Sequence, residues 1–355
     1  MRVTIHRTHR DDPRTRPSGG ADHVPVELTV VGSSYEPFVE MLRSGVSKPL
    51  QINVAPTSRD EDVCPLLGHA LVVVSSTWTQ SMKAAAPRVR LIQMPGAGWD
   101  KMDSSAVPDG VLVANCYEHE SAIAEYVMMV ALALSRRLIP ADRALRADSW
   151  EYQFASGHPL YPELRGKTMG IVGMGRIGRA VAKLAAAFRM TSIAVDESVP
   201  DSEAARQIPV EWVGRPAELQ KLLRRADYVV LAAPLTDTTR GLIGRAELAN
   251  LKSEAFLINT ARAELIEESD LYDALRNRSF AGAALDPWWF YPLNGEQRAP
   301  SRFPFRELNN VIMTPHYCGS TIETVDGRMQ VVAANVNRFL RGEPVVNIVN
   351  ELSRA

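Results

Sequence analysis

Two successive series of alternating strand and helix signals predict an α/β protein with two doubly wound parallel-sheet domains, one of them discontinuous. Three observations carry this. Short apolar runs at 26–32, 51–55, 70–75, 90–94 and 111–114 are separated by helix-compatible stretches, and parallel strands need such crossovers. The rhythm restarts at Thr168, with strands expected at 168–172, 192–196, 228–232, 255–259, 281–285 and 311–314. Between the two series lies an apolar stripe, Ile123, Val127, Val130 and Leu134, at spacings of four, three and four. Such a stripe reads as a packed linker helix.

The flanks complete the plan. Residues 1–25, rich in Arg, His, Asp, Pro and Gly, read as a solvated N-terminal extension. The last helix is expected from about 321 to 341, with Ser320-Thr-Ile-Glu323 as a capping box and Gly342 with Pro344 as the stop. Its apolar positions Val325, Met329, Val332, Val336 and Phe339 face one side. The expected domains are 26–125 together with 320–355, and 126–319.

Bulk properties exclude several classes. A chain of 355 residues is long enough for two sizeable cores. The net charge of −1 supplies no field to recruit nucleic acid or an anionic membrane, and no apolar run approaches the ~20 residues of a bilayer span. Cys64, Cys116 and Cys318 form neither a CxxC nor a zinc spacing. That sparse, odd set suits a reducing cytoplasm, and no metal site is expected.

The stretch Met169–Gly178, MGIVGMGRIG, holds a GxGxxG motif (Gly173, Gly175, Gly178) between a strand and a helix. The first glycine permits a tight turn, the second lets a pyrophosphate reach the backbone, and the third lets helix and strand pack closely. Free N–H groups at the helix start, including those at Arg176 and Ile177, would face the phosphates. Asp196 ends the next apolar run, 18 positions after Gly178, where a carboxylate would hold ribose hydroxyls. With Glu197 beside it, NAD is favoured over NADP. The second domain is therefore read as Rossmann-like and as holding NAD.

At this point the chain resembles the D-isomer-specific 2-hydroxyacid dehydrogenases, over roughly residues 65 to 348. The matching blocks are PGAGWDKMD (95–103), AIAEYVMMVALALSRR (122–137), LRGKTMGIVGMGRIGRAVA (164–182), PLTDTTRGLI (234–243), NTARAELIEESDLYDAL (259–275), AGAALD (281–286) and NVIMTPHYCGST (310–321). The resemblance implies two Rossmann-like domains, the substrate domain discontinuous, and an NAD-dependent oxidoreductase of a small anionic 2-oxo or 2-hydroxy acid, acting as a 2-oxoacid reductase and forming a homodimer through its cofactor domains. Arg262 matches the family's arginine, whose planar fork binds carboxylate and carbonyl oxygen together. His316 matches the acid/base histidine. The carboxylate that usually partners this histidine is absent: its position is Tyr291. Either the Tyr291 hydroxyl orients the imidazole, leaving the His316 pKa less raised than in relatives, or Tyr291 packs in an aromatic lid with Trp288, Trp289 and Phe290.

The same resemblance assigns Ala97 and Gly98 to a loop whose amides hold the substrate carboxylate, with Ser76 facing the same cleft. His119 falls near nicotinamide and substrate, by an alignment shifted one residue from Asn115, and a helix-capping role for its cluster is the competing reading. Ala233, Pro234, Thr239, Thr260, Ala261, Asp286 and Gly319 are expected along the cofactor. Formate dehydrogenases share the linker-helix pattern but place an amide where this chain has Tyr291. A different class remains open: an NAD-sensing, non-catalytic binding protein of corepressor type on the same fold.

Overall fold

The computed structural model describes residues 25–32, 38–157, 160–198, 208–292 and 296–350. All but residue 25 of the expected N-terminal extension lies outside them. The first sheet contains β1 (Val26–Val31), β2 (Leu50–Ala55), β3 (Val72–Val74), β4 (Leu91–Gln93) and β5 (Leu112–Ala114), in the order β2-β1-β3-β4-β5. The second contains β6 (Thr168–Val172), β7 (Thr191–Val195), β8 (Trp212–Gly214), β9 (Tyr228–Leu231), β10 (Phe256–Asn259), β11 (Gly282–Leu285) and β12 (Val311–Met313), in the order β12-β11-β10-β9-β6-β7-β8. Every pair of neighbouring strands is parallel. This is the doubly wound α/β architecture expected from the alternating signals, with one strand, β8, that the apolar runs did not reveal.

The period-two alternation of the strands sends side chains to both faces, and helices cover each face. On one side of the first sheet Val73, Ile92 and Val113 pack with Trp78 and Met82. On the other, Leu28, Val30, Val72, Val74 and Leu91 meet Met329, Val332 and Val336 of the C-terminal helix, Ile322–Arg341. Each such side chain, once buried, contributes about 1.5–3 kcal/mol. That is large against a whole-domain stability of about 5–15 kcal/mol, so the first sheet depends on a helix from the far end of the chain. Polar contacts fix the same docking. Buried Asn335 donates to Gln93 Oε1 at 2.8 Å, and Ala114 bridges Ile348.

The linker helix, Glu120–Ser135, belongs to the other half. Its Ile123, Val127, Val130 and Leu134 pack with Met169, Ile171, Val181 and Ala182, against the second sheet and the helix Arg176–Ala187. The opposite face of that sheet is closed by Leu222, Leu248, Leu271 and Phe280 around Val229, Leu257 and Leu285. Among the described residues, no helix is long and apolar enough to cross a membrane.

The cap of the C-terminal helix corrects the sequence expectation by one residue. Thr321, not Ser320, is the N-cap, and its side chain accepts from the Thr324 N–H at 3.1 Å. Gly342 ends the helix in the left-handed conformation, φ 68°, as expected of a glycine stop. Thr321→Ala is expected to cost about 1 kcal/mol and Ser320→Ala much less, a difference that urea denaturation of the two variants measures.

Candidate active site

The C-terminal ends of both sets of strands open on one cleft, the usual place for a ligand in a doubly wound sheet. The strand order of the second sheet reverses between β6 and β9, and the glycine-rich turn sits there. Gly173 has φ 100°, and a Cβ on it would lie 2.6 Å from the Ala233 nitrogen. The close approach of two backbones therefore requires glycine. A Cβ on Gly178 would overlap the Gly173 carbonyl, so the third glycine lets the helix seat on its own turn. Gly175 differs: a Cβ there would meet nothing within 4 Å. No protein contact demands a glycine at 175, but a ligand laid against the backbone would. Gly175 is also the N-cap of the helix Arg176–Ala187 and supplies no side-chain cap, leaving N–H groups available to an anion. These features fit a dinucleotide pyrophosphate.

Asp196 lies at the end of β7 beside this turn. Its Oδ2 accepts from the Met174 N–H at 2.6 Å, and its Oδ1 from the Ser198 N–H at 2.8 Å. The carboxylate thus already ties the glycine turn to the neighbouring strand. Arg176 reaches away from the turn, over the Tyr117 ring at 4.2 Å and to within 3.5 Å of Glu120, while Ile177 packs on the core. Thr239 shapes its loop by donating to the Pro234 carbonyl at 2.7 Å. Thr260 is buried and donates to the Leu231 carbonyl at 3.2 Å, and Ala261 donates to Asn259 Oδ1 at 3.1 Å.

His316 follows β12 and adopts a left-handed backbone, φ 57°, a strained state for a non-glycine residue. Asp286, fully buried after β11, holds it there. Its Oδ1 accepts from Thr314 Oγ1 at 2.7 Å and the Tyr317 N–H at 3.0 Å, and its Oδ2 from the Cys318 N–H at 3.2 Å. Asp286 was expected beside the cofactor; its carboxylate is turned onto the histidine turn. Tyr291 Oη lies 2.7 Å from His316 Nδ1 and accepts from the Trp288 N–H at 3.2 Å. Trp288 and Trp289 pack into the core against Phe305, so the aromatic segment divides: the tryptophans are structural and Tyr291 meets the imidazole. Burial pushes the His316 pKa down, Asp286 opposes that, and Arg262 and Lys101 add to it, leaving it below the ordinary histidine value. Lys101 stands 5.6 Å from the Tyr291 ring centre.

Arg262 follows β10 and reaches across the cleft to Asp100, on the loop after β4. Nε and Nη2 donate to Asp100 Oδ1 at 3.1 and 2.7 Å. The guanidinium lies against Gly98, where a Cβ would overlap it. The Ala97 carbonyl accepts from Asn115 Nδ2 at 3.0 Å and the Gly96 carbonyl from the Cys116 N–H at 3.1 Å, so β5 pins the loop. Ser76, half-buried, lies two residues beyond the end of β3. His119 is 8% exposed, its Nδ1 has no partner, and it packs under Gly319. It is the N-cap residue of the linker helix, with no capping bond from its side chain, and Glu120 follows as the acidic residue of the first turn. Burial foremost, with Arg328, pushes its pKa down. Asp100, Lys101 and Asn115 carry no assigned role in the sequence; the first two lie inside the matched block 95–103, and Asn115 lies between blocks.

The second sheet and its linker match a family model described as the D-isomer specific 2-hydroxyacid dehydrogenase NAD-binding domain, over residues 128–318. D-3-phosphoglycerate dehydrogenase of Methanocaldococcus jannaschii is 37% identical over 305 residues, covering 84% of this chain and 55% of that protein. Glyoxylate reductase of Korarchaeum cryptofilum is 34% identical over 269 residues, covering 75% of this chain and 78% of that protein. The solved holo form of Rhodotorula graminis D-mandelate dehydrogenase superposes with a TM-score of 0.78 at 22% identity, over 92% of this chain and 98% of that one, and shows the shared fold. The chain belongs to the D-isomer-specific 2-hydroxyacid dehydrogenase family, and it spans about half the length of the phosphoglycerate dehydrogenase it matches.

The turn geometry yields a test. Gly178→Ala forces the helix away from Gly173 and is expected to weaken NADH binding by roughly tenfold or more, as loss of about one charge-assisted hydrogen bond would. Fluorescence titration of NADH reads this, and Gly175→Ala, which strains no protein contact, should bind weakly while keeping the wild-type melting temperature.

Proposed function

We propose that this protein is an NAD(H)-dependent oxidoreductase of 2-hydroxy and 2-oxo acids, working mainly as a 2-oxoacid reductase. The observation that carries the proposal is the convergence of Arg262, His316 and Tyr291 on the cleft that the glycine-rich turn adjoins. In it, the cofactor half expected at residues 126–319 extends back to Glu120, because the linker helix packs on the second sheet from its first turn, and the substrate half expected at residues 26–125 with 320–355 gives up 120–125. The packing of the C-terminal helix on the first sheet supports that division.

The bound nicotinamide would supply or accept hydride at the substrate carbon; the protein handles the rest. Arg262 binds the substrate carboxylate and polarises the carbonyl through its planar fork. The amides of Ala97 and Gly98 hold the other carboxylate oxygen, Ser76 borders the pocket, and His119 offers its vacant Nδ1. Ala233, Pro234, Thr239, Thr260, Ala261 and Gly319 line the cofactor, and Asp196 receives its ribose. His316 Nε2 gives a proton to the carbonyl oxygen in reduction and takes it back in oxidation. Tyr291 serves both states, because a phenol donates to neutral Nδ1 and accepts from Nδ1–H.

Glyoxylate, hydroxypyruvate and phosphorylated or phosphonate-bearing acids all fit a cleft with Arg262 and Lys101. The proposal places the enzyme in the cytoplasm, supported by three free cysteines. It also makes it a homodimer through the cofactor halves, supported by exposed Leu138, Trp150 and Phe154 after the linker helix.

NADH oxidation at 340 nm is expected with glyoxylate, hydroxypyruvate, pyruvate, 2-oxoglutarate, phenylpyruvate or phosphonopyruvate. His316→Ala should lower kcat/KM by roughly 100- to 10,000-fold, and Arg262→Lys should be a poor substitute. Tight NADH binding with no turnover of any acid would replace this reading with the NAD-sensing binding protein.

The pH dependence follows from the lowered His316 pKa. Reduction needs the imidazolium, so kcat/KM should fall as pH rises through a value below about 6.5. Tyr291→Glu puts a carboxylate beside the imidazole and should move that limb upward by roughly 1–3 pH units. A limb that stays in place in Tyr291→Glu would mean that the side chain at 291 does not govern the histidine.

A further inference from the structure

A guanidinium carries five N–H donors in one plane. In Arg262, Nε–H and one Nη2–H converge on Asp100 Oδ1, at 3.1 and 2.7 Å. Nη1 donates to the Ala261 carbonyl at 2.8 Å. The two donors left over are one N–H on each Nη, side by side at the tip. That pair is a fork of the width that a carboxylate accepts.

We infer that Asp100 is the positioning residue for Arg262, gripping one edge of the guanidinium from the opposite side of the cleft so that the tip faces the substrate. The inference rests on the reading of Arg262 as the group that binds the substrate carboxylate. Asp100 follows β4 of the first sheet and Arg262 follows β10 of the second, so the grip also ties the two halves at the point where substrate enters. An unanchored arginine loses rotamer freedom on binding a ligand, at a cost of about 0.5–1.5 kcal/mol; an anchored one has already lost it. Gly98 leaves the space in which the guanidinium lies.

Asp100 is suited to this in charge as well as place. Burial pushes its carboxyl up, but the hydrogen bonds and charge of Arg262 outweigh that and hold it below the ordinary carboxylate value. The same contact that holds the guanidinium therefore favours the carboxylate form of Asp100. A carboxylate in an anion-binding cleft would repel substrate if it stood alone. Here Arg262 and Lys101 give two positive charges against its one negative charge, so the cluster keeps an attraction of +1 while its geometry is fixed.

The test is a double-mutant cycle read on the 2-oxo acid of the panel above that wild type reduces fastest, using wild type, Asp100→Ala, Arg262→Ala and the pair. Asp100→Ala is expected to raise KM by roughly 10- to 100-fold, the loss of a charge-assisted hydrogen bond, with NADH affinity unchanged. In the Arg262→Ala background the same change should cost less than about twofold. Guanidinium chloride should restore part of the activity of Arg262→Ala and none to the double variant. Asp100→Asn keeps the shape of the loop should Asp100→Ala fail to fold, and the same KM rise is expected of it. An equal cost in both backgrounds would make Asp100 a structural residue of its loop, and a lowered KM would make it a competitor for the guanidinium; either overturns the inference. Full turnover in Arg262→Ala would instead overturn the functional reading beneath it.

Discussion

The geometry of the candidate site depends on a carboxylate that never faces it. Asp286 is fully buried, and a buried charge needs partners. Among the described residues it has no cation, and its partners are the Thr314 hydroxyl and the amides of Tyr317 and Cys318. Those donors can converge on it only if the chain turns sharply between them, and His316, with φ 57°, is the residue that turns. Satisfying one buried charge thus fixes the backbone of His316, the proposed acid/base. Thr314 is held in turn by the Tyr126 hydroxyl at 2.7 Å, from the linker helix. The histidine's position is therefore set by three elements of the second half of the molecule.

The first half contributes opposition. Its loop after β4 is pinned to β5 through Asn115 and Cys116, and β5 is pinned to the returning C-terminus through Asn347 and Ile348. The rigidity at Ala97 and Gly98 therefore originates in the packing of the last helix on the first sheet. Discontinuity of that domain is part of how the site is built: the helix that completes the first core begins soon after His316, so one segment, 314–322, leaves the proposed acid/base residue and enters the opposite half.

How much of this the sequence disclosed follows from what kind of signal each feature carries. Strands lying in apolar runs were legible, down to the three residues of β3, β4, β5 and β12. β8 was missed, because Trp212-Val-Gly214 ends in glycine and follows a polar stretch. The glycine turn, Arg262 and His316 were legible as motifs, and the departure at Tyr291 was legible as a missing carboxylate. Its bond to Nδ1 was left as one of two readings, since a tyrosine in an aromatic run packs or bonds according to its rotamer. Asp100 lay inside a quoted block and drew no role. Its partner is 162 positions away, and a single acid in a loop has no period or spacing to betray it. The shift of the cap from Ser320 to Thr321 has the same root: both hydroxyls suit the position, and the backbone chooses.

A phenol in place of a carboxylate changes the energetics of proton transfer and not merely its geometry. A carboxylate on Nδ1 stabilises the imidazolium selectively, so it raises the histidine pKa. A phenol bonds both protonation states and stabilises neither strongly, which leaves burial and the neighbouring Arg262 and Lys101 to push the pKa down. The imidazole thus sits with Arg262 and Lys101 disfavouring its protonated form and Asp286 and Asp100 favouring it. An arriving carboxylate partly cancels the charge of Arg262, removing one of the forces that keep the imidazole neutral. On the proposed function, substrate and proton would thus favour each other's binding, and the acid form of His316 would gain population when there is an oxygen to receive its proton. In relatives with a carboxylate partner, the protein's own charge performs that task in advance. Here the chemistry of the residues assigns part of it to the substrate.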